Sequence, residues 1–276
     1  SAVGQRLTDL RSLKTPALSK RSARWLKNMA RFGYLAKGIV YCAVGILAFQ
    51  AAANWGGEVT GSKGAMQAIE APPFGVVWVL LIAIGLAGYA TWRFIQAIYN
   101  PGHDDQGAKS VGRRVVYGVN GLVYGSLSFA AFRIALRKPS AEGNDSSYQQ
   151  AATLLAQPFG QWLVALIGVA IAGYGSFCLY RGIRGRFCEK LKFGQMSAAQ
   201  QRWVTGIGQF GLVSKGIVST AISYFFVQTA RSNDPAEVKT TEGALQTIQQ
   251  QPFGGFLMGL IALGLMAYGI HMFVQA

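Results

Sequence analysis

Six long apolar runs alternate with polar, proline-bearing or charged segments along the chain, at Gly33 to Ala53, Phe74 to Ile98, Val115 to Ala135, Gly160 to Leu179, Ile207 to Ala230 and Gly254 to Val274. Each is close to the ~20 residues that a helix needs to cross a bilayer. The first follows a polar, basic leader of about thirty residues, unlike a cleaved signal peptide, whose apolar core lies close behind a short positive stretch. Between the runs, Thr240 to Gln251 reads as a short amphipathic helix with Ala244, Leu245 and Ile248 on one face, suited to lying along a membrane surface.

The pattern repeats. RWLKNMARFGYLAKGIV (Arg24 to Val40) and RWVTGIGQFGLVSKGIV (Arg202 to Val218) align without a gap, and VVYGVNGLVYG (Val115 to Gly125) is a looser third copy with Asn120 in the place of Lys37 and Lys215. Downstream, GSKGAMQAIEAPPFG matches TTEGALQTIQQQPFG and, more loosely, SSYQQAATLLAQPFG. At the same distance beyond each Pro-Phe-Gly come Gly88-Tyr89, Gly173-Tyr174 and Ala267-Tyr268. The repeating unit is therefore a pair of spans. An even number of spans per unit points all three copies the same way, related by rotation about the membrane normal as parallel transporter repeats are. The expected fold is all-α: a polytopic membrane protein of six transmembrane helices, built as three parallel two-helix repeats in a pseudo-threefold arrangement. Its expected parts are a leader over 1–29, repeats over 30–100, 108–186 and 207–276, and a linker with an interfacial helix over 187–206.

The tripeptides Pro73-Phe74-Gly75, Pro158-Phe159-Gly160 and Pro252-Phe253-Gly254 read as structural corners. Proline fits the first turn of the following helix, where its missing amide hydrogen costs nothing. The Phe would sit in the interfacial aromatic belt and the Gly would leave room for a neighbour. Small-residue seams at Gly121 and Gly125, Gly168 and Ala172, and Gly255 and Gly259 suit tight helix packing.

Composition supports a membrane protein: 51% of residues are hydrophobic and 13% charged, about half the charged share of a soluble domain. The net charge of +15 suggests nucleic acid only until its placement is considered. Basic residues crowd the leader (Arg6, Arg11, Lys14, Lys20, Arg21, Arg24, Lys27, Arg31) and alternate loops (Lys109, Arg113, Arg114; Arg181, Arg184, Arg186, Lys190, Lys192, Arg202). The other loops hold only Lys63, Arg137, Lys138, Arg231 and Lys239. The positive-inside rule then places both termini in the cytoplasm, with anionic lipid rather than nucleic acid against the basic rim. Trp25 and Trp203 are candidate interfacial anchors, Trp25 within a leader helix that also presents Leu26, Met29 and Phe32, and Ser197 to Gln200 reads as a capping box before Trp203.

The pieces ARFGYLAKGIVY, GYATWRFIQAIYNP, GRRVVYGVNGLVYGSLSFAAF, MSAAQQRWV, DPAEVKTTEGALQTIQQQPFG and GLMAYGIHMFVQA carry a resemblance over some nine tenths of the chain. With them the chain resembles the bacterial membrane proteins of domain-of-unknown-function family twelve-zero-six, which have three tandem two-helix domains. The resemblance implies six spans in a bacterial inner membrane and supplies no catalytic or binding residues.

Candidate chemistry is sparse. Charges inside spans are the default functional suspects, and here they are Lys37, Lys215, Arg93 and Arg133, with no acidic residue in any span. Lys37, Asn120 and Lys215 at equivalent positions would ring an anion path or hold a lipid headgroup if their helices face the axis, and Arg93 is a further contact for such a group. Each of the three lies only one to two turns from the basic end of its span, so snorkelling of the lysine amines to the headgroups is the favoured expectation. Arg93 and Arg133 read as interfacial anchors or partners of Asp or Glu in adjoining loops. His103 sits in a turn and His271 in the last span, an arrangement unsuited to a two-histidine haem. Cys42, Cys178 and Cys188 have no metal spacing and read as small apolar residues. No catalytic residue, cofactor or metal is expected, and no phosphate loop, nucleophile elbow or zinc-protease motif is present. The sequence thus points first to a non-enzymatic membrane component that organises lipid or a membrane-protein partner. The alternative is a small carrier or channel for an anionic solute along the pseudo-threefold axis, and a polar cavity reaching the bilayer centre would favour it.

Overall fold

The computed structural model describes residues 20–99, 108–136, 143–185 and 198–276. Nine α-helices occupy these residues: α1 (Lys20–Ala52), α2 (Ser62–Glu70), α3 (Gly75–Tyr99), α4 (Ala108–Ala135), α5 (Gly143–Leu155), α6 (Gly160–Arg184), α7 (Ala198–Ser232), α8 (Thr241–Gln249) and α9 (Gly254–Gln275). A 3₁₀ turn, Pro235–Glu237, precedes α8. Six of the nine, α1, α3, α4, α6, α7 and α9, are long and apolar enough to span a membrane. The first spans of repeats one and three are longer than expected. Helices α1 and α7 have 33 and 35 residues and run unbroken from the terminal segments into the membrane part. At 1.5 Å per residue each is about 50 Å long against a ~30 Å hydrocarbon core. The interfacial helices expected beside Trp25 and Trp203 are thus continuous with their spans. Trp203 is exposed; the Trp25 side chain, most of the leader and Ser197 lie outside the described residues.

Gly38 lies against Gly269, and Ala52 against Gly255, so α1 and α9 are antiparallel and the two chain ends leave at one face, the terminal face. The opposite, corner face carries α2, α5, α8 and the three Pro-Phe-Gly segments. The corners differ from the expectation. Each span starts at the Gly, and the Pro lies before the helix, in a four-residue turn closed by Gly75 N–H to Pro72 O (2.8 Å), Gly160 N–H to Gln157 O (2.8 Å) and Gly254 N–H to Gln251 O (2.7 Å). The Phe residues have φ of 69°, 65° and 61°, the left-handed position of a type II turn with Pro before it. That conformation costs a side-chain-bearing residue about 1–2 kcal/mol. What it delivers is a phenyl ring pushed outward, 79–85% exposed, at the level of the rim. Glycine is required next because a Cβ on Gly254 would collide with the carbonyl oxygen of Gln249, and one on Gly160 with that of Leu154. Gly254→Ala is expected to lower the melting temperature of the purified protein clearly, by about 1–3 kcal/mol of overpacking. The adjacent Gly255→Ala, which meets only Ala52 O at 3.6 Å, is expected to leave it nearly unchanged.

Around the bundle, close packing joins α1 to α3, α3 to α4, α6 to α7, α7 to α9 and α9 to α1. A closed pseudo-threefold ring has six such seams. The missing one, among the described residues, is α4 against α6, the internal seam of repeat two. Sequence explains it. In repeat one the internal seam is glycine on both sides, with Gly33 under Tyr89 and the Gly85 carbonyl, and Gly85 over Ala36. In repeat three Gly211 lies under the Tyr268 backbone and Gly264 over Ser214. The repeat-two counterparts are Val116 and Ala170, and both are exposed. Without the glycine pair the two backbones do not close.

A tyrosine cage around two buried lysines

Lys37 and Lys215 do not snorkel. Lys37 is 5% exposed and Lys215 7%. The reason lies in register: Lys37 falls on the same helical face as Val40, Val44 and Ala48, all buried, so its side chain is directed into the bundle. There the Lys37 Nζ stands over the rings of Tyr124, Tyr89 and Tyr268, at 4.5, 5.1 and 5.7 Å from their centroids. Lys215 Nζ stands over Tyr268, Tyr41 and Tyr174, at 4.3, 4.8 and 5.4 Å, and donates a hydrogen bond to Tyr268 Oη at 3.1 Å. Tyr268 is common to both.

The rings brace one another edge to face, Tyr41 on Tyr268 and Tyr89 on Tyr124, each with centroids 4.8 Å apart. Since the spans hold no carboxylate, the negative faces of these rings are what compensates the ammonium charges, at about 0.5–2 kcal/mol per contact. The two lysines differ in one respect. Lys215 has an acceptor in Tyr268, whereas Lys37 has ring faces and no hydrogen-bond acceptor among the described residues.

Arg93 is partly buried and turned toward the same tyrosines. Its Nε and Nη2 donate to Tyr89 Oη at 2.8 and 2.6 Å, Nη2 also to Tyr34 Oη at 3.4 Å, and Nη1 to Gln96 Oε1 at 2.9 Å. Its guanidinium stacks on Tyr117 at 5.4 Å. No loop carboxylate takes part in these bonds. Tyr89 therefore stands between Lys37, over its ring, and Arg93, on its hydroxyl. Asn120 is not drawn into the cage. Its amide donates to Val116 O of its own helix at 2.8 Å, so the expected Lys37, Asn120, Lys215 ring is two lysines and a set of tyrosines.

A cavity of about 590 Å³ opens at the corner face and has Lys37 and Tyr41 in its lining. It lies between the first spans of repeats one and two, off the axis, since neither α6 nor α7 lines it. On α4 its lining runs from Val123 to Ile134, a length of about 16 Å along the helix, comparable with half of a ~30 Å core. At the mouth are Lys63, Arg133 and Glu242 together with the first residues of α2 and α8. The N-caps of these two helices, Gly61 and Thr240, make no side-chain capping bond. Their dipole ends add positive potential, offset at α8 by Glu242 in its first turn. Burial, and then the Arg133 guanidinium, lowers the pKa of Lys63 below the ordinary lysine value.

Elsewhere the sites considered from sequence hold no ligand geometry. No group of His, Cys, Asp and Glu suited to a metal occurs among the described residues. His271 is buried beside Gln275 of its own helix, at 2.6 Å. Cys178 is buried and Cys42 faces Met266 O at 3.8 Å. His103 and Cys188 lie outside the described residues.

Sequence reasoning passed over the tyrosines as partners. Tyr89, Tyr174 and Tyr268 stand out there only as marks of the repeat. Their recurrence in all three second spans, with Tyr41 and Tyr124 each one turn beyond Lys37 and Asn120 in the first spans, was the available signal.

The chain is 31% identical over 254 residues to Uncharacterized protein YxxB of Bacillus subtilis (strain 168), covering 92% of this chain and 91% of that protein. No solved structure matches it. Residues 32–100, 115–185 and 210–276, the three two-span repeats around the lysine cage, each match the Domain of Unknown Function (DUF1206), and the chain belongs to that family of repeats.

Proposed function

We propose that this protein is a non-enzymatic carrier of the bacterial inner membrane that takes an anionic group from the corner face into the cavity and holds it against Lys37. The observation that carries this reading is Lys37 itself: a 95% buried ammonium, without an acceptor of its own, in the lining of a polar-mouthed cavity. A buried cation is costly in a membrane and is retained where a pathway or ligand needs it. Its surroundings are cationic on balance: Lys63 and Arg133 stand at the mouth with one carboxylate, Glu242, two helix N-termini lie beside them, and Arg93 lies beyond Tyr89. The Tyr89 ring stands between Lys37 and Arg93, so passage from the cavity to Arg93 would need that ring to move, the kind of gate that alternating access requires. In this reading the basic rim and both termini face the cytoplasm, against anionic lipid. A lipid- or partner-organising role is the second reading, and the open α4/α6 seam is what favours it.

Ligands that bind the folded state raise its stability by mass action, by about 2.7 kcal/mol at a hundred times Kd. Sulfate at constant ionic strength is therefore expected to raise the melting temperature of the purified protein, and proteoliposomes are expected to show sulfate, phosphate or small carboxylate flux. Neither a shift nor flux with any of these anions would end the carrier reading. Because Lys63 loses its proton at a lower pH than an ordinary lysine, the sulfate shift is expected to weaken as pH rises toward the ordinary lysine range. The permanently charged Lys63→Arg is expected to flatten that slope.

A further inference from the structure

We infer that the anion is the head of a single-chain amphiphile, such as an alkyl phosphate or a fatty acid, and that its tail leaves the cavity through the open seam between α4 and α6. This rests on the anion-binding reading and names the class of ligand.

The cavity wall is the first observation. Beyond its cationic mouth and Lys37 it is apolar along α4, where Val123, Leu127, Phe129 and Ile134 line it. A small hydrated anion gains nothing from such a wall, whereas each methylene buried against it is favourable. One of these residues faces both ways: Val123 lines the cavity and yet is 54% exposed, whereas its repeat counterparts Val40 and Val218 are buried. The wall therefore runs out of the cavity onto the flank of α4 that a closed ring would press against α6.

The seam itself is the second. Gly173 of α6 and Gly112 of α4 have no atom within 4 Å of where a Cβ would stand, whereas their repeat-one counterparts Gly88 and Met29 meet each other at 3.4 Å. Tyr174, next to Gly173, is only partly buried, and its ring is one wall of the Lys215 site. An alkyl chain entering here from the lipid would have Lys37 and Lys215 at its inner end, with a carboxylate, Glu242, at the cavity mouth beside Lys63 and Arg133. That charge complement selects an acidic amphiphile over a neutral lipid. It also selects one over a second copy of this chain, whose spans have no acidic residue to offer.

The test uses the full chain in phosphatidylcholine nanodiscs, with methyl, octyl, decyl and dodecyl phosphate as probes and an alkyl maltoside series as the control for partition into lipid. Affinity, corrected for partition, is expected to rise roughly two- to fourfold per methylene for the phosphates and not for the maltosides. Gly173→Phe, placed in open space, is expected to fold normally, to abolish the chain-length dependence and to leave methyl phosphate binding intact. Equal affinity at all chain lengths, or a dependence unchanged in Gly173→Phe, overturns the tail assignment while methyl phosphate binding keeps the anion site. Disulfide-linked dimers from Gly173→Cys in the membrane would give the seam to a second copy and overturn it as well. Failure of every phosphate to bind removes the anion site and the tail with it.

Discussion

Lys37→Met is expected to leave the protein more stable and at least tenfold weaker for any anion that enters the cavity. The stability change follows from the company the ammonium keeps. Lys37 is 5% exposed, over three tyrosine rings, with no hydrogen-bond acceptor and no carboxylate in any span. Replacing a buried charge by an apolar side chain of similar volume is commonly neutral or stabilising by about 1–4 kcal/mol, and methionine keeps the unbranched shape and favourable contact with aromatic rings. Binding goes the other way, since a hydrogen bond to a charged group contributes about 1.5–3 kcal/mol, worth ten- to a hundredfold in affinity. Thermal unfolding and sulfate binding on the same preparations check both halves. A stability loss, or unchanged affinity, would make Lys37 a packing residue. Lys215→Met is expected to gain less stability, because it strips Tyr268 Oη of its donor at 3.1 Å. Opposite signs for stability and binding are the mark of a group kept for function, and Lys37 is where this bundle should show it most clearly.

The two lysines also show where a sequence stops being legible. Their positions in repeated spans, the number of spans and the parallel sense of the repeats all follow from hydropathy and self-similarity, because those properties belong to one helix at a time. Which way Lys37 points depends on where three tyrosines from other helices, Tyr89, Tyr124 and Tyr268, stand, so depth alone suggests snorkelling. Register held more information: a lysine in phase with Val40, Val44 and Ala48 belongs to the stripe that a bundle buries. The corner tripeptide is a similar case. Proline's helix-start preference suggests it opens the span, but the tight return from α8 to α9 needs a turn, and the turn takes the proline while Gly254 opens the helix. The cavity was not legible at all, since it exists only because α2, α4 and the start of α8 meet at the corner face.

The broken threefold is the feature on which structure and sequence can be set most sharply against each other, and alanine at matched glycines is expected to give opposite signs around the ring. At Gly211 a Cβ would stand 2.5 Å from the Tyr268 backbone nitrogen, and at Gly33 it would stand 3.0 Å from the Gly85 carbonyl oxygen. Backbone cannot yield as a side-chain tip does, so Gly211→Ala and Gly33→Ala must push α9 and α3 away from their partners. A cost of about 1–3 kcal/mol or more is expected, with Tyr268 and Tyr89, and so the cage, displaced along with them. At Gly173 the same substitution meets nothing within 4 Å. There only helix propensity remains, and alanine is favoured over glycine by about 0.8–1.0 kcal/mol in a helix interior. Gly173→Ala is therefore expected to raise the melting temperature slightly while Gly211→Ala lowers it severely. If Gly173→Ala proved as damaging as Gly211→Ala, α4 and α6 would have to be in contact in the membrane. The ring would then be closed and symmetric, and Val116 and Ala170 would be ordinary substitutions rather than the reason one side of this bundle is open to lipid.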